Sequence, residues 1–505
     1  MPFAPDIQLH QLGFAPDLPL NTPGIILDSD AVYPTVSGIR LLPGFQTLAA
    51  LPANNVPTGA LRATLANGTV VVVAGSSQTG EQLWLWQNAY SWILNQIGGL
   101  TPNSNNWHFA VFGTDILGTN GVDPIQVSSN GGVFGVLGGN PPIGKLIACV
   151  DPGGTAAQAF VFNTASDPTF WACSKQGADN VWSLNVADLS ASGRLQTTPG
   201  AITAAIALGT SMVVFKSNSI YIGQFIGPPF VWSFQLQDAQ YGVQNQEAAV
   251  SLGDVIFFVM PKGPCFFTFD GSSVRGVTNA CWQWFLANVN MQYFANIRLR
   301  YDSTAGVVYI YFPNKANLGT VYPVGSLDTW LAWNITNNRW TVGHNFIVSC
   351  ALDTNDASGT PIYQPLNQIL VQPALFGGPI TPPGNLSVPF VYNALVAYSG
   401  TPTPGYITTG YYGQEERLTA VRRARALWHV SPAGHGPGGR SPVVLTPMTA
   451  DVLGAASIAG PPVAISPRSW FDFRQAARYH QFKFVLNVDA EITGFHFDNA
   501  DAGTR

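Results

Sequence analysis

The residues in this 505-residue chain that could do chemistry form few patterns, and each has a bland alternative. Gly434-His-Gly-Pro-Gly-Gly439 has the glycine spacing of a dinucleotide-binding loop. Such a loop needs a helix opening behind it, so that backbone N–H groups meet a pyrophosphate. Pro437 and Pro442 forbid that helix, and the segment reads as a plain loop. Asp353-Thr-Asn-Asp-Ala-Ser-Gly359 offers oxygen ligands near calcium-loop spacing but lacks the closing Glu, so it reads as a solvated turn. The seven histidines make no HxH, HExxH or HxxxH pattern, and no structural metal site is expected. There is no GxSxG elbow and no P-loop. These readings predict no catalytic residue, no metal and no cofactor. Carboxylate pairs of the glycosidase kind lie far apart in sequence, so a glycosidase stays open. The repeated Ser-x-Asp-x-Gly-x-x-Trp turns of sialidase propellers do not occur.

The remaining chemistry is positive charge. Net charge is −5, but residues 417–505 hold ten basic and six acidic groups, or +4. The preceding 416 residues hold 12 basic and 21 acidic groups, or −9. Sixteen of the 22 basic residues are arginine, whose planar fork favours fixed interfaces. Arg417, Arg422, Arg423 and Arg425 are therefore expected to form an assembly interface. As a strand, Arg422-Arg-Ala-Arg425 puts Arg423 and Arg425 on one face. A protein partner is favoured over phosphate because the interleaved aromatics of single-strand binders are missing. The tryptophans tempt a sugar-platform reading, yet most sit in apolar strand contexts that favour packing.

The elements that must carry these residues read as strands. Fifty-two glycines and 38 prolines, spread along the chain, forbid long helices. Gly209-Thr-Ser-Met-Val-Val-Phe-Lys-Ser-Asn-Ser-Ile-Tyr-Ile-Gly223 is an apolar run, a polar turn and a second apolar run, the pattern of a hairpin. Gly253–Gly271 repeats it 44 residues later, and Ala295 follows Gly253 by 42. Further pairs are expected at Gly68–Trp86, Trp107–Asn120, Leu146–Asn163, Phe170–Cys173 with Asn180–Ser183, Ile297–Phe312 and Thr329–Thr341. A period of roughly 40–50 residues is that of four-stranded propeller blades. The expected fold is all-β: a β-propeller of six or seven blades with an additional C-terminal β module. An irregular array of β-sandwiches is the alternative. The expected domains are an irregular N-terminal arm (1–60), the propeller (61–376) and the C-terminal module (377–505), with Gly377–Gly384 as a linker.

Composition limits the setting. Charged residues are 10% of the chain, against about 25% in an average soluble protein, so much surface is expected to be buried in an assembly. No apolar stretch is long enough to span a membrane as a helix. The start of the chain lacks the pattern of a secretory leader, and the five cysteines form no CxxC pair, which together predict folding in a reducing cytoplasm with free buried thiols.

An ordered set of pieces then resembles the β-propeller tail hub or nozzle proteins of short-tailed bacteriophages, also called packaged-DNA stabilisation proteins. The pieces are Asn21-Thr-Pro-Gly24 with Leu42-Pro-Gly44, Val73-Ala-Gly75 with Leu83-Trp84, and Trp107–Gly113 with Thr119-Asn120 and Asp123. Val214-Phe215, Ser219–Ile222, Gly242, Val255–Phe258 and Phe269–Gly271 follow. Tyr301-Asp302, Val308–Tyr311, Trp333-Asn334 and Arg339-Trp340 come next. A C-terminal motif of Asp472, Arg474, Arg478 and Tyr479, with Gly503-Thr-Arg505, closes the match. Ala476-Ala477 departs from it, standing where a glycine is expected before the Arg-Tyr pair. The resemblance covers nearly the whole chain. It implies a non-enzymatic virion protein, assembled in the bacterial host cytoplasm and located in the tail. It implies a homo-oligomer, usually a hexamer, ringing the DNA exit channel below the portal and adaptor. Implied partners are the adaptor and portal-neck proteins, other tail proteins such as fibre or needle, and viral DNA in weak, non-specific contact. A glycan-binding propeller adhesin is the competing function, and clustered tryptophans exposed on one propeller face would favour it.

Overall fold

The computed structural model describes residues 6–50, 57–76, 82–87, 91–154, 156–319, 323–344, 346–352, 374–379, 394–400, 404–434 and 439–504. The calcium-like segment Asp353–Gly359 and the centre of the Gly434–Gly439 loop lie outside them.

Among the described residues, seven four-stranded antiparallel sheets follow one another around a ring, and the fold is an all-β propeller. Their first strands are Pro57–Thr64, His108–Phe112, Gly144–Val150, Ile202–Leu208, Ala249–Ser251, Arg298–Asp302 and Phe346–Leu352. Each packs beside the next, and Phe346–Leu352 against Pro57–Thr64 completes the circle. The hairpin that the sequence marks most clearly, Ser211–Lys216 with Ser219–Gly227, pairs Phe215 with Ile220 in the fourth blade. Seams between blades are apolar. Trp107 is 1% exposed between blades one and two, and Phe215, Phe258 and Ile220 pack together between blades four and five. Trp171, Trp232, Trp333 and Trp340 are likewise buried, so these rings pack blades and offer no platform to a ligand.

Two expectations change. Phe170–Cys173 pairs with Ala191–Arg194, not with Asn180–Ser183. Trp182, which makes the latter look like a strand, is instead buried in a loop with its indole N–H donated to Asp179 O at 2.5 Å. The seventh blade draws its strands from Phe346–Leu352, Ala374–Pro379 and Ala394–Gly400 and takes its fourth, Gly44–Ala50, from the other end of the chain. Gly377–Pro379, read as the start of a linker, therefore lies within a strand.

The second module is a β-sandwich. One sheet holds Phe471–Ala477, Arg417–Val430, Glu491–Thr504, Ile39–Leu41 and Val32–Pro34, with Ile7–Gln8 beside Glu491–Thr504. The other is built on Ile26–Asp30, Gly405–Thr409, Tyr479–Leu486 and Val443–Ala450. Val421, Ala424, Phe471, Ile492 and Phe495 from the first face Ile407, Leu445, Phe482 and Phe484 from the second in one core. Residues 7–41, expected to be an irregular arm, are thus short strands. Val32–Pro34 and Ile39–Leu41 pair locally as a short hairpin, but Ile7–Gln8, Ile26–Asp30 and Ile39–Leu41 also pair with strands more than 360 residues away, which no local pattern reports.

The same N-terminal stretch lies against the sixth blade. Leu12 O accepts from Trp340 N, and Phe14 N donates to Trp340 O, both at 2.9 Å. Gly13 between them has φ +62°, and a Cβ there would come within 2.6 Å of Trp340 O; only glycine fits this approach. Arg339, 8% exposed, donates from Nη1 to Thr35 O at 3.0 Å and Gly38 O at 3.1 Å. Asn337 Nδ2 reaches Thr35 O and Val36 O at 2.9 Å. Ser29 Oγ both donates to Val342 O at 2.7 Å and accepts from Val342 N at 3.1 Å.

Charged donors to buried carbonyls contribute about 1.5–3 kcal/mol each, and their loss also strands the acceptors. Arg339→Ala is therefore expected to lower stability by about 3 kcal/mol and to speed proteolysis between residues 6 and 43. Thermal melting with timed limited proteolysis checks this; unchanged cleavage would show that Arg339 does not hold the seam.

Candidate functional site

Two places bring polar chemistry together. The first is one mouth of the propeller channel, where the first strands begin. Around this mouth several polar side chains at strand ends or in the turns before first strands reach the neighbouring blade. Thr119 Oγ1 donates to Gly144 O at 2.6 Å, and Asn163 Nδ2 to Ile202 O at 2.7 Å. Gln246 clasps Ala205, accepting from its N–H at 2.8 Å and donating to its carbonyl at 3.0 Å. Asn245 Nδ2 donates to Ala295 O at 2.6 Å.

Within this mouth sits an ionic cluster drawn from blades two, five and six. Glu247 is ion-paired with Arg300, and His108 Nδ1 lies 3.8 Å from its carboxylate. Their side chains are 12–15% exposed. Arg298 is 8% exposed; its Nη2 donates to Thr58 O at 3.2 Å and Asn106 Oδ1 at 3.4 Å. Burial pushes the Glu247 carboxyl up, but Arg300 and then Arg298 pull it down to about 2. Burial lowers His108 to about 4 against the attraction of Glu247, so the imidazole is neutral at pH 7. A carboxylate held this firmly ionised cannot serve as a general acid at neutral pH. A cavity of about 190 Å³ adjoins the cluster, lined by His108, Asn106, Lys145, Gln244 and Asn245 among others.

One carboxyl pair is brought together elsewhere: Asp179 is raised by burial and then by the charge of Asp115. Cys173 and Cys265 are pushed up to about 12 by burial and are free thiols of low nucleophilicity at neutral pH. Among the described residues no group of three metal-ligating side chains converges, and no helix is long and apolar enough to cross a membrane.

The second place is the arginine strand of the sandwich, Arg417–Val430. Arg423 and Arg425 do share a face. The Arg423 guanidinium lies 4.2 Å from the centre of the Trp470 ring and its Nε is 2.5 Å from Asp498 Oδ2. Arg425 stands 5.3 Å from the same ring and 3.7 Å from Asp6. A bulge between Val421 and Arg423 lets two successive residues point outward, and Arg422 is exposed. It lines an open groove with Arg474 of the neighbouring edge strand. Arg417 is exposed at the strand's start, and Asp472 is exposed in register with Arg423. Arg478 is half-buried and Tyr479 is buried at the following turn, apart from the groove. The structure therefore joins Arg422 with Arg474 and commits Arg423 and Arg425 to contacts within the chain.

No family model and no curated protein sequence matches the chain. Solved structures with a similar chain course include YCF48 bound to a D1 peptide. It has 9% identity and a TM-score of 0.41 over 73% of this chain and 97% of that one. The Cps50 (Swd1) β-propeller domain of Myceliophteria thermophila has 7% identity and a TM-score of 0.41 over 70% and 99%. At such values they carry no inference about function.

The axial residues escape sequence reading because they span 108 to 300 and share only their place at strand starts. A lowered His108 pKa means that its contribution to stability is full above pH 6.5 and is lost as pH falls towards 4. A fall from 6.5 to about 4 is worth on the order of 3 kcal/mol. His344 is raised: burial, the first influence, lowers it, but the Asp28 hydrogen bond and charge outweigh that, so it acts in the opposite sense. Comparing His108→Gln with the parent cancels His344. The variant should lose less stability between pH 7.5 and pH 4.5 in denaturant melts; equal losses would mean that His108 is not the titrating group.

Proposed function

We propose that this chain is a structural, non-catalytic subunit of a short-tailed phage tail, a hub or nozzle component that joins copies of itself into a ring. The observation that carries this reading is the division of labour among the sandwich arginines. Arg423 and Arg425 are spent on Trp470, Asp498 and Asp6. Arg422 and Arg474 face solvent together beside Phe471–Ala477, the last strand of its sheet. An edge strand flanked by unspent positive charge is suited to a neighbour that brings acidic groups. The rest of the chain, at −9, supplies them. A head-to-tail contact between unlike surfaces closes into a ring when its rotation permits. The resemblance in the sequence points to six copies and to adaptor and portal-neck neighbours. The acidic balance of the propeller suits weak contact with DNA, since phosphate binding grows with each cation engaged.

The test is the double substitution Arg422→Glu with Arg474→Glu. Mass photometry of the parent, alone or with phage neck proteins, should show rings. The variant should remain monomeric with an unchanged melting temperature. Rings formed equally by the variant would overturn the assembly face, and hydrolysis of a glycoside by the parent would overturn the non-catalytic reading.

A further inference from the structure

We infer that the groove beside Arg422 and Arg474 receives the Glu415-Glu416 turn of a second copy of this chain. This pairing rests on the assembly reading above and names the segment that meets its arginine face. The groove is open, has a volume of about 570 Å³, and is lined by both arginines. Ala420 and Ala476, which also line it, stand opposite each other on the two strands, so small side chains leave room there. Val421 faces Gln475 and Arg423 faces Asp472, which sets the bulged Arg422 across from residues 473–474. Both guanidinium groups are exposed, and neither has an ion pair or hydrogen bond among the described residues. Like charges on adjacent strands repel, and two carboxylates set against them convert that repulsion into charge-assisted hydrogen bonds.

The chain has few carboxylates to offer. Among the described residues, the exposed acids whose side chains make neither an ion pair nor a hydrogen bond are Asp254, Glu415, Glu416, Asp451 and Asp472. Asp254 and Asp451 stand singly, and Asp472 belongs to the groove's own strand. Only Glu415 and Glu416 are adjacent, two acids for two arginines. They are the central residues of a tight turn, closed by Arg417 N donating to Gln414 O at 3.3 Å, and residues 414–417 are all exposed. The turn projects where the long strand Arg417–Val430 begins. From Glu416 to Arg422 that extended strand covers roughly 20 Å, and no ion pair joins the two sites within the chain. The acids therefore meet the arginines of another copy. Turn and groove are different surfaces, so each copy gives one and receives one, and the contact passes head to tail as a ring requires.

The test uses two variants of the full chain, Arg422→Glu with Arg474→Glu, and Glu415→Arg with Glu416→Arg. All four positions are exposed, so neither melting temperature should change. Each variant alone sets like charge against like and should raise the concentration needed for half-assembly by about a hundredfold. Mixed in equal amounts, the two restore opposite charges at every contact between unlike copies. Native mass spectrometry should then show rings of the parent's size containing both variants equally. If the arginine variant is monomeric while the glutamate variant forms rings like the parent, the arginine face stands and the turn is not its partner. If both variants and their mixture stay monomeric, the two surfaces do not meet, and the pairing is overturned while the face again stands. Rings formed by the arginine variant, or none formed by the parent, would overturn the pairing and the assembly reading together. Loss of duplex DNA binding by an arginine variant whose rings are intact would assign the groove to phosphate instead.

Discussion

The structure depends on one stretch of chain that belongs to three sheets at once. Residues 7–41 supply strands to both sheets of the sandwich, and Gly44–Ala50 completes the seventh blade of the propeller. Between these duties the stretch is bonded along the last strand of the sixth blade, through Leu12, Phe14, Ser29 and the carbonyls that Arg339 and Asn337 gather. A propeller whose final blade takes its outer strand from the opposite chain terminus cannot spread apart without breaking that strand's ladder. Here the closing strand is also tethered to the sandwich. Ring closure and the joining of the two modules are therefore one constraint.

That constraint fixes where polar chemistry can lie. Because the circle is closed, the starts of the first strands converge at one mouth, and Thr119, Asn163, Gln246 and Asn245 join blade to blade there. The axis is occupied by His108, Glu247, Arg298 and Arg300. The two-sheet core likewise turns Val421 and Ala424 inward and leaves the arginines outside. Both polar places are consequences of apolar packing elsewhere, and neither has the local sequence signature of a site.

What could be read from sequence follows the range of each interaction. Hairpins such as Ser211–Lys216 with Ser219–Gly227 are local, and alternating runs with a short polar turn mark them. The shared face of Arg423 and Arg425 follows from strand periodicity, but the bulge that turns Arg422 outward does not. Asn180–Ser183 misleads because a buried tryptophan in a loop looks like one in a strand. Strands of two to five residues at 7–41 carry no periodicity of their own, and apart from the local pair Val32–Pro34 with Ile39–Leu41 their partners lie beyond residue 400. Nor can sequence alone place His108 beside Glu247, because weak similarity between blades gives no common frame in which both stand at strand starts.

Hydrogen exchange followed by mass spectrometry at rising sub-denaturing concentrations tests the central claim most directly. If closure and joining are one constraint, amides of Gly44–Ala50, Ile26–Asp30, Gly405–Thr409 and Trp340–Gly343 should become exchangeable at a common opening free energy. Exchange of the sandwich strands at much lower denaturant, with the seventh and sixth blades still fully protected, would show two independent modules and contradict the account.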